Sequence, residues 1–133
     1  MIRLVLLALV ILAGGTVLRH YGRRAAATAA PRYRTLTPEE AKARLDSGDP
    51  VILLDVRTPE EFGAGHIPGA VGLPNEDIGP DMPVAFDRDA EVLLYCRTGR
   101  RSAEAAEKLA ALGYENVGDL GGILSWPYET TVD

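Results

Sequence analysis

The single cysteine of this chain, Cys96, follows an apolar run, Leu93-Leu94-Tyr95, and precedes Arg97, Thr98, Gly99, Arg100, Arg101 and Ser102. Thiolate rather than thiol is the nucleophile, and nearby positive charge lowers a cysteine pKa. The three arginines could supply that charge. A strand ending at Tyr95 and a helix starting near Arg101 would leave a tight loop whose N–H groups, with those of the helix start, form a nest for an anion. Gly99 lets the loop turn where a Cβ would obstruct it. The bland reading is a buried, inert thiol, the usual fate of a lone cysteine. Three arginines and a glycine do not suit an inert core, so the spacing favours a reactive thiol.

Other residues invite chemistry and read more simply. His66, the only histidine after residue 20, suggests a Cys–His pair, yet Gly65-His66-Ile67-Pro68-Gly69-Ala70 reads as a turn in which His66 holds loop backbone. Asp55 follows a buried strand, with Arg57 beside it and Glu61 one helical turn on. These three are expected to form a structural ion-pair cluster beneath the Cys96 loop. Glu39/Glu40 and Glu60/Glu61 suit helix starts rather than catalytic carboxylate pairs. The sequence contains no phosphate-binding glycine motif and no metal-ligand cluster, and its one cysteine excludes an internal disulfide.

The elements that must position these residues alternate. Thr37-Pro38-Glu39-Glu40 is a capping box with proline at the first helical position, predicting a helix to about Ser47, stopped by Gly48. Val51–Leu54 reads as a strand buried on both faces. Thr58-Pro59-Glu60-Glu61 repeats the cap and starts a short helix. Ala70–Leu73 suits a brief strand, and residues 75–90, with Pro80 and Pro83, read as mostly irregular. Glu91–Tyr95 is a second buried strand. Residues 101–112 form an amphipathic helix with Glu104 and Lys108 spaced for an ion pair, ended by Gly113. Val117–Leu120 is a last strand, and Trp126 should anchor the tail on the core, with Tyr128 at the edge. The alternation predicts an α/β fold, a mainly parallel central sheet flanked by helices. In such sheets sites form beyond the carboxyl ends of the strands.

Arg101 stands five positions after Cys96. Cysteine phosphatases place their phosphate-binding arginine one position later, so a ring of amides here is tighter and suits a smaller anion, such as a terminal sulfur. CRTGRRS after an apolar strand resembles the active-site loop of single-domain members of the rhodanese family. Asp55–Phe62 and Gly65–Ala70 resemble that family's two N-terminal signatures, and Leu120–Trp126 is similar to its C-terminal one. The likeness covers about residues 33–127. It departs from the family at residues 75–90, where a helix is usual and two prolines stand here.

The resemblance implies a double displacement without cofactor or metal. Cys96 would take the outer sulfur of a donor such as thiosulfate as a persulfide, and a thiophilic acceptor, cyanide or a small-molecule or protein thiol, would remove it. The N–H groups from Arg97 to Ser102 would stabilise the negative sulfur, and Arg97, Arg100 and Arg101 would attract an anionic donor. Asp55, Arg57, Glu61 and His66 would serve as structural support. Two other classes compete: a docking module that uses the basic loop without catalysis, and a small phosphatase or arsenate reductase on the same fold.

Charge and hydropathy divide the chain. Residues 31–133 hold ten Lys/Arg against all nineteen acidic residues, a net −9, while the first thirty carry +4. The acidic body argues against a nucleic-acid partner. Leu4–Leu18 is fifteen uncharged, largely apolar residues, about 22 Å as a helix against a hydrocarbon core of about 30 Å. Residues 1–24 are expected to form a single-pass membrane anchor, lengthened by snorkelling of Arg3 and Arg19. The heavier positive charge after the run points to a cytoplasmic domain. The alternative is a signal peptide cleaved near Ala27-Thr28-Ala29, releasing a secreted or periplasmic protein. Residues 25–32 read as a linker and 33–130 as the domain.

Overall fold

A computed structural model describes residues 32–133. The predicted anchor, residues 1–24, and nearly all of the linker lie outside the described residues. Among the described residues, no helix is long and apolar enough to cross a membrane.

The elements run β1 (Arg34–Thr35), α1 (Pro38–Asp46), β2 (Val51–Asp55), α2 (Pro59–Ala64), β3 (Val71–Gly72), a 3-10 turn (Asn75–Asp77), β4 (Glu91–Cys96), α3 (Arg100–Ala111), β5 (Asn116–Gly122) and a second 3-10 turn (Ile123–Ser125). The strands form one sheet in the order β1-β5-β4-β2-β3, and every pairing is parallel. This is the expected α/β architecture. Both predicted capping boxes are closed. The Thr37 and Thr58 side chains accept from the backbone N–H of Glu40 and Glu61, whose carboxylates accept the cap residues' own N–H groups. Each box satisfies two helix-end donors that would otherwise lack partners. Residues 78–90 are irregular, as Pro80 and Pro83 suggest; Asn75–Asp77 adds a 3-10 turn.

Strand periodicity sorts the core into two faces. Along β4, Val92, Leu94 and Cys96 pack with Leu54, Val56, Ala105, Ala106, Leu109 and Val117 on the side of α3. Leu93 and Tyr95 pack with Ala41, Leu53, Ile67, Leu120 and Trp126 on the side of α1. Each fully buried leucine contributes about 1.5–3 kcal/mol. The two-residue period that buries Leu94 therefore also turns the Cys96 side chain toward α3. Trp126 is buried on the α1 face as predicted, with Tyr128 against it edge-on at 5.0 Å between ring centroids.

The predicted Glu104–Lys108 pair does not form. Asn75 lies between the two residues: its amide donates to Glu104 at 3.0 Å, and the Lys108 ammonium donates to Asn75 Oδ1 and its carbonyl oxygen at 3.0 and 2.8 Å. Glu104 pairs instead with Arg100, one turn earlier. The pairing fails because the irregular segment docks on this face of α3 and supplies a better partner for each.

Candidate active site

β4 ends at Cys96 and α3 begins at Arg100, so three residues, Arg97, Thr98 and Gly99, connect them. Gly99 is the helix N-cap at φ +114, a conformation that L side chains rarely adopt, and it offers no side chain to cap the helix. Gly99 N–H donates to Cys96 Sγ at 3.0 Å, and the N–H groups of Thr98 and Ser102 act with it to favour the thiolate. Ser102 Oγ lies 3.5 Å from Sγ. The sulfur lies at the strand-to-helix connection with the Gly99 N–H and the Ser102 hydroxyl against it, and Cys96 keeps 1% of its exposure.

Burial, the largest influence on the Cys96 thiol, pushes its pKa up. The Ser102 hydroxyl and the N–H groups of Ser102, Gly99 and Thr98 together outweigh it, and the pKa falls below the ordinary value. Hydrogen-bond donors lead the influences that lower it, and Arg101 also interacts with the thiol as charge on charge. Donors aimed at a buried sulfur act at short range in a low dielectric, whereas exposed guanidinium groups are screened by water.

The arginines divide into different tasks. Arg97 is exposed, and its guanidinium has no hydrogen-bond or ion-pair partner among the described residues. Arg100 points outward along α3 and pairs with Glu104 at 3.1 Å. Arg101 grips Glu61 on α2 with both prongs, Nη1 to Oε1 at 2.7 Å and Nη2 to Oε2 at 3.0 Å. Arg101, with the Thr58 N–H and hydroxyl, holds the Glu61 carboxyl at a pKa of about 2 despite the opposing effect of burial. Glu61 was expected beside Asp55 and Arg57. Those two form their own pair, with Arg57 Nη2 at 2.7 Å and Nε at 3.0 and 3.1 Å from the Asp55 carboxylate oxygens. Arg57 turns back on Asp55 in the same connection, leaving Glu61 to reach across to α3.

His66 holds backbone, as read from the sequence. Its Nδ1 and Nε2 lie 2.9 Å from the carbonyl oxygens of Phe62 and Asp133, its ring stacks on Phe62 at 3.9 Å, and its backbone bridges to Thr131. Arg57 donates to Gly65 O, and the Tyr95 hydroxyl accepts from Ile67 N–H at 3.0 Å. Asp55, Arg57 and His66 thus fasten the segment after α2, while Glu61 fastens the Cys96 loop.

Two contributors carry no role in the sequence reading. Gly122, paired with Cys96 across β4 and β5, lies flat against the loop. A Cβ there would stand 2.7 Å from Thr98 Cα and would collide with the Arg97 carbonyl oxygen. Leu124 N–H donates to that same carbonyl at 3.3 Å, so the start of the second 3-10 turn supports the loop from behind. The signal available in the sequence was the paired Gly121-Gly122 near a strand end. The other, Tyr95, is buried, with its hydroxyl tied to Ile67 N–H and the Arg57 guanidinium 5.8 Å from its ring centroid; it reads in sequence as one more strand aromatic.

A parallel sheet that ends one strand in a cysteine whose pKa is lowered, at the start of a helix, defines an α/β domain with its candidate site at the carboxyl end of the sheet. The profile of the rhodanese-like domain matches residues 37–128, and the chain belongs to that family. A protein named "Sulfurtransferase" from Allochromatium vinosum is 40% identical over 89 residues, covering 66% of this chain and 82% of the relative. The "Probable adenylyltransferase/sulfurtransferase MoeZ" of Mycobacterium tuberculosis is 38% identical over 109 residues. That match covers 80% of this chain and 28% of MoeZ, so the chain spans under a third of that relative. The crystal structure of a rhodanese-like domain protein from Staphylococcus aureus superposes with a TM-score of 0.67 at 35% identity, covering 75% of this chain and 98% of the other.

Proposed function

We propose that this domain is a sulfurtransferase that carries a sulfane sulfur on Cys96. Cys96 attacks the outer sulfur of a donor such as thiosulfate. The new S–S bond forms as the donor's own S–S bond breaks, and sulfite leaves with the electron pair. The persulfide's terminal sulfur then bears the negative charge inside the ring of N–H groups from Arg97 to Ser102. A thiophilic acceptor, cyanide or a small-molecule or protein thiol, removes that sulfur and returns the thiolate. No general base is required, because an acidified thiol supplies its own nucleophile. The observation that carries the reading is the Cys96 sulfur, at the end of β4, accepting from Gly99 N–H at 3.0 Å and lying 3.5 Å from Ser102 Oγ at the start of α3. Membership of the rhodanese-like family and the sulfurtransferase names of its relatives support it.

Intact mass spectrometry after incubation with thiosulfate tests the proposal. One added sulfur, lost on treatment with cyanide and absent from Cys96→Ser, is the expected result. An unchanged mass with thiosulfate and with small-molecule persulfides would return the domain to the docking or phosphatase readings.

Residues 1–24 are proposed as a membrane anchor that leaves the domain in the cytoplasm, where a free thiol stays reduced. The support is the uncharged run Leu4–Leu18, flanked more heavily by arginine on its far side. Fractionation of cells expressing the full chain, with and without alkaline carbonate, separates an anchored protein from a soluble one, and Edman sequencing of the mature protein detects cleavage near Ala29.

A further inference from the structure

Ser102 stands where one hydroxyl proton faces three acceptors. Its Oγ is 3.0 Å from Gly99 O, 3.4 Å from Gly121 O and 3.5 Å from Cys96 Sγ. The residue is fully buried, so water does not serve it. While the thiol is protonated, S–H donates to Oγ and the serine O–H donates to Gly99 O. Once the proton leaves, Sγ is an acceptor only, and an Oγ that keeps its proton on Gly99 turns a lone pair toward a negative sulfur. Turning the O–H to sulfur removes that repulsion. The turn is cheap, because Gly99 O still accepts Ala103 N–H at 3.2 Å.

We propose that Ser102 is a hydroxyl rotor that recognises the charge on Sγ itself, and so stabilises the unloaded thiolate over the persulfide. In the persulfide the charge has moved outward to the terminal sulfur. Sγ is then a neutral, two-bonded atom, and the serine proton returns to Gly99 O. The ring N–H groups can follow the charge to the terminal sulfur, whereas Ser102, attached below Sγ through Gly99 and Gly121, serves only the inner atom. The hydroxyl therefore weakens sulfur retention and favours its delivery. The lowering of the Cys96 pKa by this hydroxyl agrees with that assignment. The idea deepens the proposed sulfur transfer and rests on it for the persulfide half.

The test uses wild type, Ser102→Ala and Ser102→Thr, each verified as folded by circular dichroism. The first measurement, independent of any sulfur chemistry, is the pH dependence of Cys96 alkylation by iodoacetamide. A hydrogen bond to a charged group is worth enough to move an ionisation by about tenfold, so the alanine variant should titrate about one pH unit higher and the threonine variant near wild type. The second is the persulfide-to-thiolate ratio, read by intact mass at fixed thiosulfate and sulfite, above the alkylation midpoints of all three proteins. There the alanine variant should hold about tenfold more persulfide. An alanine midpoint equal to wild type overturns the proposal, and so does a midpoint raised equally in both variants, which would place the effect in packing. An alanine midpoint that rises with an unchanged persulfide ratio overturns the preference for the unloaded state. If wild type takes up no sulfur at all, the sulfurtransferase reading fails while the alkylation series still judges the rotor.

Discussion

Glu61 and Arg101, forty positions apart in sequence, close a two-pronged ion pair that ties the Cys96 loop to α2. Both side chains are 26% exposed, partly shielded, and the paired geometry fixes orientation as well as charge. Arg101 is thereby a brace for the loop rather than a free hand for the donor. Replacing Glu61 by Gln should cost about 1 kcal/mol of stability at neutral pH and slow sulfur uptake more than it weakens donor binding. The pH dependence has a definite sign. A carboxylate whose pKa is depressed to about 2 in the folded state, from 4.5, contributes in full above 4.5 and loses its contribution as pH falls toward 2. Urea titrations of both proteins should thus converge between those pH values. A stability gap that stays constant from pH 7 to pH 3 would show that the pair does not hold the loop electrostatically.

Gly122 sets how closely β5 approaches the same loop. A methyl group there meets the Arg97 carbonyl and the Thr98 Cα, both backbone atoms that cannot swing aside. Overpacking of this kind costs about 1–3 kcal/mol, and the loop relieves it by moving away from β5. Gly122→Ala is expected to lower Tm, raise the pKa of Cys96 as its ring of donors loosens, and slow sulfur uptake by about tenfold or more. Equal rates for the variant and wild type would mean that the loop geometry tolerates the shift.

The divide between what sequence reveals and what it conceals runs along these contacts. The helix starts at Thr37 and Thr58 were readable because a capping box is local, each partner lying three residues from the other. The Cys96 loop was readable as a strand-to-helix connection because strand, cysteine, glycine and helix are consecutive. Which arginine does what was not: Arg97, Arg100 and Arg101 are alike in type, and only the fold brings Glu61 to one and Glu104 to another. The Glu104–Lys108 pair had the right spacing and still failed, since Asn75, from a segment without periodicity, competes for both. The share that hydrogen-bond donors take in the thiol's acidity is hidden for a related reason. Arginines are visible in a sequence, whereas the direction of an N–H group is set by backbone angles, at Gly99 above all.

Tyr95 lies next to Cys96 in sequence and on the opposite face of β4. Its hydroxyl accepts Ile67 N–H, and burial, with the Asp55 carboxylate nearby, pushes the phenol pKa up, so it stays protonated at any working pH. Tyr95→Phe strands a buried N–H and should cost about 1–3 kcal/mol, measured by urea denaturation. Because the phenol lies across the sheet from Sγ, the alkylation midpoint of Cys96 should not move. A midpoint displaced by about half a unit or more would show that the Asp55–Arg57–Tyr95 network reaches the thiol.

Arg97 and Arg100 stand on the exposed rim of the loop and differ in what holds them. Arg100 shares its charge with Glu104 at 3.1 Å, while the Arg97 guanidinium has no partner among the described residues. The described domain is otherwise strongly acidic, so under the proposed sulfur transfer a dianionic donor approaching Cys96 would meet a repulsive field relieved only locally. An unpaired rim guanidinium attracts such a donor without touching the sulfur that reacts, and it acts equally on bound donor and transition state. Arg97→Ala should therefore raise the KM for thiosulfate several-fold with kcat little changed, and should flatten the decline of kcat/KM with added salt. Arg100→Ala should do less of both, since Glu104 already offsets much of the charge that the substitution removes. Steady-state kinetics across a salt series distinguish the two. If Arg97→Ala lowered kcat with KM unchanged, the side chain would be acting on the transition state, and its place would be inside the loop rather than on the rim.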